Sequence, residues 1–273
     1  MTSSHFVDQA VALQPDGDNF FTGAAHPAWG NMVGPFGGIT AAAALNGVLQ
    51  HGKLLGVPIS LTVNFCSALA AAPYRLRVVP VRTNRSTQHW TVQMTQAGAD
   101  GADEVVLTAT AVTANRRDTW STDDVPMPRV PAAFELERRS LFGVEWIKRY
   151  DMRLVQGGVP AQWDGSGSSS LTQMWTRDEP PRPLDFVSLT ALADVFFPRA
   201  WLRRATRVPV GTVSMTVYFH ADAAMLERSG NGHVLGQAQA QSFRNGFFDQ
   251  TAQLWSEAGD MLATTHQVVY YKE

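Results

Sequence analysis

Three polar side chains stand where the surrounding pattern calls for apolar ones: Asp194, Thr212 and Gln267. A carboxylate takes a proton, and a hydroxyl and an amide hold and orient a water, so the three form a coherent set for activating water. Asp194 lies in Leu184-Asp185-Phe186-Val187-Ser188-Leu189-Thr190-Ala191-Leu192-Ala193-Asp194-Val195-Phe196-Phe197. Apolar residues recur there at three- and four-residue spacing, which predicts a buried helix capped by Asp185 and ended by Pro198. The carboxylate would then lie among Leu189, Leu192, Ala193, Phe196 and Phe197. Burial there costs several kcal/mol unless the group is paired, hydrogen-bonded or protonated. It also raises the pKa and makes a better base than a solvated carboxylate. Each residue has an ordinary reading too: an outward or backbone-capping Asp, and a Thr and a Gln that are satisfied core polar groups.

The elements that must position these residues occur twice. Asn19 to Gly23 reads as a first strand, followed by the Gly- and Pro-rich loop Trp29 to Gly38 and an alanine-rich, almost wholly apolar helix, Ile39 to Gln50. Such a helix is wrapped on all sides. Gly37-Gly38 at its start leaves bare N–H groups where a carbonyl or phosphate oxygen can be held. Equally, the two glycines let the loop turn and the helix pack closely. From Pro58 the period becomes two, with Ile59, Leu61, Val63 and Phe65 alternating with polar residues, and strands follow near Tyr74 to Val81, Ser86 to Gln96 and Glu104 to Ala114. Arg116 to Ser140, with Pro126, Pro128 and Pro131, has no sustained period and reads as a linker laid over the surface. Beyond it come strands near Tyr150 to Val155 and Leu171 to Arg177, the Asp194 helix, and strands near Gly211 to His220, His233 to Ser242, Phe247 to Glu257 and Met261 to Tyr271.

Residue matches support a duplication. Ser60-Leu61-Thr62-Val63-Asn64-Phe65 aligns with Ser214-Met215-Thr216-Val217-Tyr218-Phe219, position 214 against 60, an offset of 154. Glu104 to Val112 aligns with Asp260 to Val268, position 260 against 104, an offset of 156. Interior polar residues present in only one half are candidates for chemistry. The first helix has no carboxylate, Pro58 stands opposite Thr212, and Ala111 stands opposite Gln267.

The chain resembles the TesB-type acyl-CoA thioesterases over nearly its whole length. The resemblance is carried by Gly34-Pro35-Phe36-Gly37-Gly38, the Ser-x-Thr-Val-x-Phe strand, Ala193-Asp194, Gly211-Thr212-Val213 running on to Tyr218-Phe219-His220, and Ala263-Thr264-Thr265-His266-Gln267. It implies an α+β double hotdog, two tandem units each wrapping a buried helix in a curved antiparallel sheet and pairing within the chain: 1–115, a linker 116–140, and 141–273 with the catalytic residues. It also implies that Asp194, Thr212 and Gln267 jointly activate the water that attacks an acyl-CoA thioester, without metal or cofactor. Gly37 and Gly38 are then substrate contacts. Where members of that family carry an Asp-His pair after the Thr, this chain has Ser214-Met215, a difference that bears on substrate choice.

Composition bounds the alternatives. With 22 basic and 24 acidic residues, net −2, the chain is not a nucleic-acid binder working by bulk electrostatics. One cysteine, Cys66, leaves no internal disulfide or Cys-rich zinc site and fits a reducing, cytoplasmic setting. No apolar run approaches the ~20 residues a membrane span needs. There is no Gly-x-Ser-x-Gly, His-Glu-x-x-His or dinucleotide glycine pattern. His26, His89, His220 and His266 are the possible bases of a hotdog dehydratase or hydratase, and a non-catalytic acyl-thioester or lipid carrier is the rival from another class. Arg199, Arg203, Arg204 and Arg207, with Arg85 and Arg244 at matching turns, are either phosphate contacts or a solvated face. Homo-oligomers built through sheet edges are compatible with the pattern.

Overall fold

The computed structural model describes residues 4–98, 100–139 and 143–273. Two compact units emerge, one of residues 1–120, 141–150 and 185–191, the other of residues 121–140, 151–184 and 192–273. The expected boundary at 140/141 lies outside the described residues.

In the first unit the elements are α1 (Phe6–Ala10), β1 (Gln14–Pro15), β2 (Phe20–Ala24), α2 (Gly37–Leu49), β3 (Val57–Phe65), β4 (Pro73–Thr83), β5 (Thr87–Ala97) and β6 (Asp103–Ala114). The strands pair antiparallel in the order β1-β2-β4-β5-β6-β3. Its alanines let α2 be enclosed: Gly38 to Leu45, Gly47 and Val48 are all buried. Trp146 belongs to this unit because its ring stacks on Phe36 at 4.3 Å and its backbone N–H donates to the Gly30 carbonyl at 3.2 Å.

The second unit contains β7 (Tyr150–Gln156) and β8 (Thr172–Asp178) before the helices α3 (Phe186–Leu192) and α4 (Arg199–Arg204), of which α3 up to Ala191 groups with the first unit. Then come β9 (Val210–Phe219), α5 (Ala223–Ser229), β10 (Val234–Gln239), the short β11 (Phe243–Arg244), β12 (Phe247–Ser256) and β13 (Met261–Tyr271). Strand order is β9-β13-β12-β10-β8-β7, with β11 beside β12, so each unit repeats the other strand for strand. The duplication reaches the irregularities. Ile59 is an extra residue in β3 against β6, and Val213 is an extra residue in β9 against β13, 154 positions on. Val106 in β6 and Leu262 in β13 repeat the same device at an offset of 156.

Two expectations change. The helix read over Asp185 to Phe197 stops at Leu192, although Asp185 does cap it, accepting the Ser188 N–H at 2.8 Å. The turn after Leu192 is as apolar as the helix, so periodicity runs straight through it. Pro198 opens α4 rather than ending α3. Residues 121–139 cover one face of the second sheet. Met127, Val130, Ala133 and Leu136 pack on Trp175, Leu235, Trp255 and Met261, and the Trp175 indole donates to the Pro131 carbonyl at 2.9 Å.

Candidate active site

Asp194 lies just beyond the end of α3, half-buried, rather than inside a helix. On β13 the inward series is Ala263, Thr265, Gln267 and Val269, and these are all buried. Gln267 reaches across 73 positions of sequence so that its Nε2 donates to Asp194 Oδ1 at 2.8 Å. Directly opposite on β9, the Met215 thioether accepts from the same nitrogen at 3.4 Å. Both amide protons are thereby engaged. The carboxylate fixes the amide's orientation, since a reversed amide would set carbonyl oxygen against carboxylate oxygen. Gln267 Oε1 remains as an acceptor for water.

Thr212 reaches this face through the extra residue in its strand. Met215, Val217 and Phe219 face inward on β9, so uninterrupted alternation would send Thr212 outward with Ser214, Thr216 and Tyr218. Val213 breaks the alternation, and Thr212 pairs with the inward-facing Val269. The structure therefore brings Asp194 and Gln267 into contact and sets Thr212 on their face of the sheet, its hydroxyl making no hydrogen bond among the described residues.

Gly37 and Gly38 form the first turn of α2 in the first unit, and Phe36 supplies no side-chain cap. A Cβ on Gly38 would lie 2.6 Å from the Ala191 carbonyl oxygen and 2.6 Å from the Phe36 ring, so close packing by itself requires glycine there.

The arginine cluster divides. Arg199, 0% exposed, donates to the carbonyls of Phe197, Ser170 and Ala238 and to Thr172 Oγ1. Burial pushes its pKa down to about 9, and it is a structural crosslink, not a phosphate contact. Arg203 donates to the Gly167 carbonyl, Arg204 pairs with Glu273, and Arg207 lies over Trp163 and Trp201. A second charged cluster, on β7, β8 and the residue preceding β10 and absent from the sequence reading, centres on Asp151, 2% exposed. Its carboxylate receives Arg153 at 3.0 Å, His233 at 3.2 Å and Arg177 at 3.3 Å. Asp151 and Arg153 alternate with apolar residues and Arg177 sits in a polar strand end, so nothing in the sequence links them. Met215 appears in the sequence only as part of Ser214-Met215; its contact with Gln267 required the strand register.

Fold and site define a duplicated hot dog architecture in which the C-terminal unit brings Asp194 and Gln267 into contact. Residues 121–271 match the acyl-CoA thioesterase C-terminal domain and residues 25–114 the N-terminal domain, so the chain belongs to the acyl-CoA thioesterase family. Its class of chemistry is thioester hydrolysis. Among solved structures, a hot dog protein of unknown function from Alicyclobacillus acidocaldarius is 45% identical, with a TM-score of 0.93 and 99% of each chain covered. A putative thioesterase II from Thermobifida fusca YX is 16% identical at a TM-score of 0.83, with 100% of each chain covered. An acyl-CoA thioesterase II, TesB2, from Mycobacterium marinum is 18% identical at a TM-score of 0.77, covering 97% of this chain and 98% of that one. These two low-identity neighbours carry the fold alone. No curated protein matches the chain. Among the described residues no helix is long and apolar enough to cross a membrane.

Proposed function

We infer that the C-terminal unit hydrolyses acyl-CoA thioesters with water activated by Asp194, Thr212 and Gln267. Asp194 takes a proton from a water held by the Thr212 hydroxyl and Gln267 Oε1, and the water oxygen adds to the thioester carbonyl carbon. Collapse of the adduct breaks the carbon–sulfur bond, and the proton on Asp194 passes to the departing CoA sulfur, leaving free acid and CoA. The observation that carries this reading is the 2.8 Å bond from Gln267 Nε2 to Asp194 Oδ1, which aims the carboxylate while leaving the amide oxygen open to water. In the first unit, the N–H groups of Gly37 and Gly38 are the proposed contacts for a carbonyl or phosphate oxygen of an acyl-CoA.

Asp194→Asn tests the assignment. Loss of general-base catalysis is expected to lower kcat about 10²- to 10⁴-fold while thermal midpoint and CoA binding hold. Unchanged turnover would refute the assignment, and collapse of the fold would mark Asp194 as structural. A single turnover in ¹⁸O-water separates direct hydrolysis, which labels the acid product at once, from attack by Asp194 itself, which labels the carboxylate first. Wild-type protein that binds acyl-CoA esters across chain lengths without hydrolysing them would instead be a carrier.

A further inference from the structure

The matched registers of the two units isolate two more interior polar residues. In the first unit the cross-strand row through Ala111 reads Leu61, Ala111, Trp90, and in the second the matching row reads Met215, Gln267, Gln250. Trp90, 1% exposed, fills the first interior and satisfies its indole on Thr113 Oγ1 at 3.0 Å. Gln250 replaces that bulk with an amide directly across from Gln267. It is 4% exposed, and its side chain makes no hydrogen bond among the described residues.

The neighbouring row repeats the contrast. Val63, Ala109 and Val92 in the first unit correspond to Val217, Thr265 and Ala252 in the second. Thr265 is 3% exposed, and its hydroxyl is buried without a hydrogen-bond partner among the described residues. Two hydrogen-bonding side chains of buried residues therefore flank Gln267, one across the sheet and one along the strand. Their counterparts in the duplicate are wholly apolar at Ala109 and a self-satisfied indole at Trp90. Buried polar groups find partners with few exceptions, and the Thr265 hydroxyl has none among the described residues, so it and the Gln250 amide nearby can take one that enters the site. Their place fits a substituent near the carbon under attack, since directly opposed side chains in a sheet start only about 5 Å apart.

We propose that Gln250 and Thr265 are substrate-binding residues that select acyl groups carrying a hydroxyl or oxo substituent close to the thioester, over plain saturated chains. This rests on the reading of Asp194 and Gln267 as the hydrolytic centre. A site built to hydrogen-bond a substituent discriminates strongly against the analogue that lacks it, because its own polar groups are then left unpaired.

The test uses binding, so that it stands apart from turnover. Calorimetry on the intact protein compares two non-hydrolysable CoA thioethers, one with a butyl chain and one with a 3-hydroxybutyl chain. The hydroxylated probe is expected to bind about tenfold or more tightly, and both Gln250→Met and Thr265→Val to shrink that ratio. Equal affinities in the wild type, or a ratio unchanged in both variants, would overturn the proposal. Failure of the wild type to hydrolyse the corresponding thioesters counts separately, against the hydrolytic reading.

Discussion

Replacing Gln267 with leucine removes the amide and keeps most of the volume. The lost contact is a 2.8 Å hydrogen bond to a carboxylate, and bonds to charged partners contribute about 1.5–3 kcal/mol. If that bond acts by aiming Asp194 in the transition state, its loss corresponds to roughly ten- to a hundredfold in kcat, at about 1.4 kcal/mol per factor of ten. Removing the water's acceptor on Oε1 adds to this. Stability should suffer less, because Asp194 is half-buried and water can replace the lost donor. A cost of about 1–2 kcal/mol lowers the midpoint of a chain this size by roughly 2–8 °C. Steady-state hydrolysis of a chain-length series of acyl-CoA esters, followed by thiol release, gives kcat and KM, and circular dichroism gives the midpoint. A kcat within twofold of the wild type would refute the role of the amide. Met215→Leu, which removes only the 3.4 Å thioether acceptor, is expected to lower kcat severalfold with KM unchanged; an equal loss in both variants would mean packing matters, not amide orientation.

Asp151→Asn leaves Arg153, Arg177 and His233 without their shared carboxylate. Breaking a buried ion pair costs about 3–5 kcal/mol, and Arg153 and Arg177 keep 20% and 29% of their side chains in water, so the lower figure applies and the midpoint should fall by about 6–12 °C. Burial pushes the Asp151 carboxyl up, but Arg153 and His233 outweigh it and the net shift is downward. Its contribution is therefore complete above the unfolded carboxyl pKa near 4 and is lost as pH falls through the folded value. Burial, aided by the Arg177 charge, lowers the His233 pKa, so the unfolded chain takes up that proton first and stability already declines as pH drops below about 6.5. Denaturant midpoints measured from pH 7 to pH 3 should fall throughout for the wild type, and the carboxylate part should vanish in Asp151→Asn. Gly38→Ala forces a methyl against the Ala191 carbonyl and the Phe36 ring, and overpacking of this kind costs about 1–3 kcal/mol; an unchanged thermal midpoint would show that the helix start yields freely.

The strands were legible because each has one buried face, and a period of two survives translation into structure with ends moved by up to three residues. The duplication was legible for the same reason, and its offsets hold in the observed registers. The end of α3 was not, because Ala193, Val195, Phe196 and Phe197 are buried in a turn as fully as they would be in a helix, and burial is all that apolar periodicity reports. Asp194 consequently stood out for a sound reason in the wrong local setting. Gln250 was not legible because its contrast with Trp90 lies across strands whose loops differ in length, so only the hydrogen-bonded register sets the two side by side. Asp151 was hidden because a charge hub assembled from separate strands leaves no short motif.

The extra residue ahead of Ser214 has a twin ahead of Ser60, and that twin turns nothing more reactive than Pro58 toward the interior. The slip in strand alternation is thus a property of the repeated architecture, not a device fitted to the reaction. The same inward position at the mouth of the central strand holds a proline in one unit and a hydroxyl in the other. Deleting Val213 from the present chain would undo that arrangement in one step, swinging Thr212 to the outer surface while Gln267 and Met215 stayed in their strands and Asp194 in its turn.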